Sequence, residues 1–190
     1  MALTNDERRI PASRVEGNVR HATRDIRQSG QASVWALLVL LVLVMIGAAL
    51  LDAYQWTSTR VWAYHAAEAA AERSATLAAD WSNFQHTGEW QLDSAMARSE
   101  VEAALREELS ARGIDASHAA WDIRVHSTSA VRTEPGWPPR GSLWGGVGWT
   151  TDRPSIGVYL EVDAPTFLGG LAGIRSWARI HVFASSSLVR

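Results

Sequence analysis

The chain has 190 residues and a mass of 20.8 kDa, which suits one modest domain with accessory segments. Hydrophobic residues make up 47% of the sequence and the formal net charge is −2, which excludes wholesale disorder and a basic nucleic-acid binder. Cysteine and lysine are both absent, so thiol catalysis, thiolate metal sites, disulfides, Schiff-base lysines and phosphate-binding P-loops are excluded as well.

The N-terminal part predicts a tail followed by a membrane-spanning helix. Residues 1–30 contain six arginines and four acidic residues, a net charge of +2. Ala32 to Leu51 is then a run of 20 residues without a charge. As a helix it would be about 30 Å long, the thickness of a bilayer core. We therefore predict a cytoplasmic tail or leader over 1–30 and a transmembrane helix over 31–53. A buried core helix and a cleaved secretory signal are the alternatives, although a signal core usually has only about 7–15 residues.

The distribution of arginine predicts the orientation. Residues 52–190 contain twelve arginines and sixteen acidic residues, a net charge of −4, and Arg60 is the first arginine after the run. Because positive flanks stay inside, the N-terminus is expected in the cytoplasm. Residues 54–190 then form a periplasmic or extracellular domain of a single-pass protein of the cell (inner) membrane. Tyr54 and Trp56 stand where an interfacial aromatic belt is expected.

The helix is predicted to continue beyond the membrane. No helix-breaking residue pattern occurs between Leu51 and Trp81, so we expect one helix from about Ser33 to about 81. A stripe of small side chains recurs every four residues, which favours close packing against a sheet or another helix. Its members are Ala63, Ala67, Ala71, Ala75 and Ala79. The alternative is that the stripe only reflects a general abundance of alanine.

The rest of the chain predicts a second helix and a small sheet. A break at Gln85–Gly88 precedes an amphipathic helix at about 94–112, with Gly113 as its stop. Alternation of apolar and polar residues then predicts three strands, at about 121–128, 156–163 and 177–185. The fold class is α+β: a transmembrane helix extended into a long α-helix, followed by a small antiparallel sheet domain.

A long loop with three tryptophans separates the first two predicted strands. Trp137, Trp144 and Trp149 stand among prolines and glycines. Long loops in compact domains are often functional. We therefore predict exposed tryptophans that dock on a partner, and a lid folded onto the sheet is an equal alternative.

The remaining polar residues form no catalytic motif. His65, Glu68 and Glu72 share a helix face, but a metal site needs a further ligand and the sequence has no HExxH pattern. Glu161 and Asp163 stand two apart on a predicted strand, which is weak support for a paired-carboxylate hydrolase. We predict no enzyme, no cofactor, no metal, no nucleic acid and no small-molecule substrate.

The segment from Arg27 to Leu38, RQSGQASVWALL, resembles the start of TadE-like proteins, which are minor pilins or pseudopilins of the tight-adherence (Flp, type IVb-like) pilus system. Members of that family combine an arginine-containing leader, a glycine, a small-polar stretch, a hydrophobic helix and an outer α+β domain. The resemblance covers about residues 24–80 and, more loosely, the closing strand–turn–strand pattern. It implies a pilin-like fold and a non-catalytic role in a pilus or secretion assembly, with the bilayer and other subunits as partners.

The resemblance also implies a processing site between Gly30 and Gln31, since prepilin-type processing in the family cuts after the glycine. A glutamate usually stands five residues later, where this chain has Trp35. Tryptophan cannot pair with the N-terminal amine of a neighbouring subunit in the membrane, so we favour an uncleaved or variably processed anchor. Two other classes stay open: a single-pass accessory subunit of another membrane complex, and an anchored enzyme or ligand-binding domain.

Overall fold

The computed structural model describes residues 13–139, 148–171, 173 and 177–188, with side chains from Ser33 on except that of Leu171. The chain divides into two compact units, Met1–Gly47 and Ala48–Arg190. A single helix, α1 (Ser13–Leu77), contributes residues to both. The predicted start near Ser33 is wrong, because nothing between Pro11 and Leu77 stops a helix from propagating through the arginine-rich segment.

The first unit holds most of the apolar run, which ends four residues later at Leu51. The large apolar side chains from Val34 to Ile46 are each 45–69% exposed. Within the described part of the chain, the Ser33–Leu77 stretch of α1 is the one helix long and apolar enough to cross a membrane. The large apolar side chains from Val34 to Ile46 are therefore not covered by other described residues of the chain.

The predicted end of α1 near residue 81 is also wrong. The helix ends at Leu77, and the side chain of Asp80 then accepts a 2.9 Å hydrogen bond from Asn83 N and caps a short helix, α2 (Trp81–Thr87). Gly88, with φ of 72°, ends α2 in the left-handed conformation that glycine adopts at little cost. The break predicted at Gln85–Gly88 is thus the end of α2.

The second predicted helix is confirmed to within one residue. α3 covers Ser94–Ala111, and the side chain of Asp93 accepts hydrogen bonds from Ala95 N and Met96 N at its start. A short 3-10 turn, Ala116–His118, leads into the sheet. The buried face of α3 consists of apolar side chains: Ala97, Val101, Ala104, Leu105 and Leu109.

The main sheet has three antiparallel strands in the order β1-β4-β5. These are β1 (Ala119–His126), β4 (Ser155–Pro165) and β5 (Trp177–Ser187), and they confirm the three predicted strands. A separate two-stranded ribbon pairs β2 (Arg132–Glu134) with β3 (Trp149–Thr151). Alternation did not predict β2 and β3, since three residues are too few to show a period. A short helix, α4 (Phe167–Leu171), lies between β4 and β5.

One face of the sheet packs on the helices. Ile156, Val158, Leu160 and Val162 of β4 are buried in one cluster with side chains of α1 and α3. Four members of the alanine stripe, Ala63, Ala67, Ala71 and Ala75, are buried in the same cluster, whereas Ala79 lies beyond the end of α1 and is only partly buried. These four alanines contribute to the packed core that α1 and α3 form with the sheet. The described structure therefore has an α+β layout, a long N-terminal apolar helix followed by a small antiparallel sheet.

Candidate functional site

The sheet face turned away from the helices carries a polar ladder, by which we mean six side chains. They are His118, Tyr159, Glu161, Asp163, Arg179 and His181. The strand register places Glu161 opposite His181 and Asp163 opposite Arg179. Directly opposed residues of opposite charge stabilise an antiparallel pair.

The distances in the polar ladder describe one connected network. The Tyr159 hydroxyl lies 2.9 Å from Glu161 Oε1 and 2.7 Å from His181 Nδ1. The guanidinium of Arg179 donates to Asp163 Oδ1 at 3.0 Å and lies 3.6 Å from Glu161 Oε2. His118 Nδ1 lies 3.7 Å from Asp163 Oδ2. Each carboxylate of the ladder thus has a cationic or hydrogen-bonding neighbour.

The electrostatics of the ladder disfavour acid–base catalysis by Tyr159. Burial, with the adjacent Glu161 carboxylate, raises the pKa of the Tyr159 phenol well above its ordinary value, so the hydroxyl stays protonated at neutral pH. The hydrogen bond from Arg179 lowers the pKa of Asp163 below its usual range. We interpret the ladder as a set of cross-strand pairs that stabilises the observed register of β4 and β5.

The other polar groups singled out by sequence do not join the ladder. His65 Nδ1 lies 3.4 Å from Glu68 Oε2 on an exposed surface of α1. The residues that the structure describes contain no group of three His, Cys, Asp or Glu side chains placed to hold a metal ion.

A groove of about 510 Å³ runs between α1 and β5. Arg60, Arg179 and His181 line it together with apolar side chains such as Trp56 and Ile180. Because Arg179 is already paired with two carboxylates of the ladder, it is not a free cation for a ligand in this groove.

The tryptophans of the long loop form a second, apolar cluster on the same face of the sheet. Trp137 and Trp149 are only 5% and 8% exposed and pack with Tyr159 and Phe183. Trp137 Nε1 donates to Asp122 Oδ2 at 2.8 Å. The prediction that these two side chains are exposed for docking is wrong; they fold onto the sheet as a lid. Trp144, the third predicted docking residue, lies outside the described residues.

The lid depends on a position without a side chain. A Cβ atom on Gly157 of β4 would lie 2.7 Å from two ring atoms of Trp137 and 3.2 Å from Trp149 Cη2. Glycine at this position therefore lets the indole rings rest directly on the strand. The lid is favourable because it removes the apolar surface of both indole rings from water.

His126, at the end of β1, is buried beneath the lid. It is 2% exposed, and its ring meets Trp149 edge-on at a centroid distance of 4.5 Å. Neither ring nitrogen has a hydrogen-bond partner among the described residues, and Glu134 Oε1 lies 3.8 Å from Nε2. Burial lowers the pKa of His126 below its ordinary value, against the opposing effect of Glu134.

A third cluster escaped the sequence analysis. Phe84 of α2 stacks on Trp90 at 4.2 Å, and Trp81 meets Trp90 at 4.8 Å. Trp81 is exposed. The signal that would have found this cluster is Asp80 as an N-cap, followed by two aromatic residues three apart, a helical spacing.

A carboxylate at the end of the apolar run was also missed. Asp52 of α1 is only 6% exposed, and its two oxygens accept hydrogen bonds from the backbone N–H groups of Phe167 and Leu168, at 2.6 and 2.9 Å. These N–H groups begin α4 and have no partner within that helix. Asp52 therefore holds the connection between β4 and β5 against α1.

The predicted processing site lies near the N-terminus, before the apolar run. Gly30 and Gln31 fall within the backbone range of α1, and the side chain of Gln31 lies outside the described residues. Processing there stays a prediction.

Comparison with known proteins adds no relative: no protein-family model, no curated protein and no solved structure matches this chain. Function is therefore inferred from the described residues alone. They provide an exposed apolar helix, a sheet domain built on the same helix, a lid of tryptophan and a charge-paired ladder.

Proposed function

We propose that the chain is a membrane-anchored, non-catalytic component of a pilus or secretion assembly, of the TadE-like, minor pilin or pseudopilin kind. The observation that carries this proposal is α1. One helix contains both an apolar stretch with exposed side chains, from Val34 to Ile46, and the buried alanine stripe around which the sheet domain is built. Such a helix combines an anchor and a scaffold in a single element.

Energetics support a bilayer around the apolar stretch. Burying a leucine or valine side chain is worth about 1.5–3 kcal/mol relative to leaving it in water. More than ten large apolar side chains of this stretch are about half exposed or more in the chain alone. Monomeric soluble proteins seldom leave a contiguous apolar surface of this size uncovered.

The charge pattern supports one orientation of the anchor. Six arginines precede the apolar run, and the first arginine after it is Arg60. The tail would then stay in the cytoplasm and the sheet domain would lie in the periplasm or outside the cell. Other subunits of the assembly and the lipid bilayer are the partners that this arrangement requires.

The role requires no catalytic residue. The charged side chains of the sheet's outer face pair across β4 and β5, which accounts for their presence structurally. We therefore assign this face to the stability of the domain and assign no substrate or cofactor to it.

Trp35 favours a second candidate. It stands where a processed pilin subunit usually has a glutamate, so a chain that keeps its tail would act as a single-pass accessory subunit of another membrane complex. The burial of Trp137 and Trp149 removes the docking surface first predicted for such a subunit. That subunit would need another part of the domain for its contact.

The mass and N-terminal sequence of the membrane-extracted protein distinguish the two candidates. We expect Gly30→Leu to abolish any cleavage after residue 30, and Gly17→Leu to leave it unchanged as the matched control. A wild-type start at Gln31 supports the pilin-like candidate. If the wild-type tail stays intact and Trp35→Glu is cleaved, the missing glutamate explains why wild type is not processed. That result favours the accessory subunit.

The orientation has its own test. Because the chain contains no cysteine, Ser13→Cys and Ser129→Cys give one reactive thiol each. In cells whose inner membrane is intact and whose outer layers are made permeable, a membrane-impermeant maleimide should label only the Ser129 variant. Labelling of the Ser13 variant alone would show the opposite orientation. Equal labelling of both variants would mean that no membrane separates the two positions.

A further inference from the structure

The connection between β4 and β5 is attached to α1 at the first residue beyond the apolar run. Asp52 follows Leu51 directly, and its carboxylate holds the N–H groups of Phe167 and Leu168. The helix advances about 1.5 Å per residue, so the start of α4 lies level with the end of the run to within one turn.

The side chains at this level are apolar and exposed. Leu50 and Leu51 of α1 are exposed, and Phe167 is 56% exposed although its backbone is fixed by Asp52. The sequence from Ala164 to Ile174 contains no charged residue. An exposed phenylalanine on a backbone held by Asp52, within an uncharged stretch of sequence, has the character of a side chain that lies in the interfacial region of a bilayer.

Aromatic residues on α1 mark the same level. Tyr54 and Trp56, two and four residues beyond Asp52, are both exposed. Tyrosine and tryptophan concentrate at the depth of the lipid headgroups, where the ring is buried and its polar atom stays wet. Phe167 is thus held beside the part of α1 that carries the pattern of an interfacial belt.

We propose that Phe167 and Leu168 form a second membrane contact of the sheet domain, seated at the boundary between headgroups and acyl chains. The inference rests on the proposed membrane anchorage and goes beyond it, since an anchor alone leaves the domain free to tilt. The occupant is the lipid bilayer. The reason is continuity: the segment adjoins the end of the run that the bilayer would cover, and Asp52 satisfies the two N–H groups that lipid could not.

Fluorescence of single-cysteine variants in vesicles tests the contact. The absence of native cysteine allows Phe167→Cys, Leu41→Cys and Val131→Cys to be labelled with an environment-sensitive NBD dye in the full chain. Leu41 lies within the apolar run. Val131 is exposed and follows β1, whose last residue, His126, pairs with Ser155 at the start of β4. Pro165, at the other end of β4 and next to the proposed contact, is about 30 Å from Ser155. Leu168→Cys is a second probe of the segment in case Phe167→Cys does not fold.

The proposal predicts three different patterns in phosphatidylcholine vesicles. The label at 167 should emit at shorter wavelength than the label at 131. It should be quenched by lipids that carry a shallow spin label and protected from aqueous iodide. The label at 41 should be quenched by a deep spin label, and the label at 131 by iodide alone.

The failures are distinguishable. If the label at 41 is not quenched by lipid, the membrane anchorage itself is wrong. If the label at 41 behaves as expected and that at 167 matches that at 131, the interfacial contact is wrong and the anchorage stands. If the label at 167 is protected from iodide but not quenched by lipid, a second copy of the chain covers the segment, which also overturns the proposal.

Discussion

Asp52 accepts a 2.6 Å hydrogen bond from the backbone N–H of Phe167, although the two residues are 115 positions apart in the chain. The second oxygen of the same carboxylate takes the next N–H, that of Leu168. One acidic residue of α1 therefore supplies from a distance the partners that the first turn of a helix lacks. It joins the end of the apolar run to the turn between the last two strands.

Replacement of Asp52 by alanine should release this turn. The substitution leaves two N–H groups without a partner, each at a cost of about 1–3 kcal/mol where water cannot replace the carboxylate. We expect the free energy of unfolding to fall by roughly that amount or more, as measured by urea titration of the detergent-solubilised protein with tryptophan fluorescence.

Two further variants complete the Asp52 experiment. Asp52→Asn keeps one acceptor oxygen and should cost less than Asp52→Ala. Asp152→Ala removes an exposed carboxylate that lies 3.9 Å from Arg153 Nε, and should change stability little. Equal stability of the alanine variants at 52 and 152 would mean that the hydrogen bonds to α4 contribute nothing.

Leucine at position 67 should disrupt the packing of α1 on the sheet. Ala67 is fully buried, so three extra carbon atoms must displace a neighbour, at a cost of about 1–3 kcal/mol. Ala69→Leu adds the same atoms to the exposed side of the helix and should be nearly neutral. The thermal midpoints of the two variants in detergent should differ by several degrees, and coincident midpoints would contradict the close packing of the stripe.

Alanine at position 157 should lift the tryptophan lid. Its Cβ would lie 2.7 Å from ring atoms of Trp137, which has little room to move because it is buried and hydrogen-bonded to Asp122. We expect a loss of about 1–3 kcal/mol of stability and a red shift of the tryptophan emission as an indole becomes exposed. Gly170→Ala, where a Cβ meets nothing within 4 Å, is the matched control. An unchanged emission spectrum in Gly157→Ala would mean that the ring does not rest on this residue.

Stability should depend on pH through His126. Its pKa in the folded chain lies below the ordinary value of 6.5, because burial disfavours the charged ring. The unfolded chain therefore binds a proton more readily than the folded chain once the pH falls below about 6.5. The contribution of His126 to the free energy of unfolding is therefore complete above that pH. As the pH falls, it decreases by up to about 1.4 kcal/mol per pH unit until the pKa of the folded chain is reached.

The His126 prediction is checked by denaturant unfolding at several pH values between 7.5 and 5. His126→Phe keeps an aromatic ring in the site and should flatten the dependence, whereas His65→Gln, at an exposed histidine, should retain it. The same slope in wild type and His126→Phe would assign the pH dependence to other groups.

Local patterns were sufficient for the elements whose signal is periodic. Four-residue spacing of alanine predicted the buried face of α1, and alternation predicted β1, β4 and β5. The end of α1 was misplaced because the segment from Leu77 to Trp81 has no proline or glycine to mark it. The turn instead depends on the Asp80 cap and on backbone hydrogen bonds to the segment before α3, from Asp80 N to Gln91 O and from Asp93 N to Ala78 O, both 2.9 Å.

The sequence by itself determined the uncharged run, the charge asymmetry around it, the alanine stripe and the α+β order of elements, because each depends on residues that are neighbours or one period apart. Only the tertiary structure decided that Trp137 and Trp149 are buried, that Asp52 caps α4 and that the carboxylates of β4 face their partners on β5. These features depend on which distant residues the register brings together. Burying a tryptophan is favourable in general, but which residue lies beneath it, here Gly157, is decided by the tertiary arrangement that places Trp137 on β4.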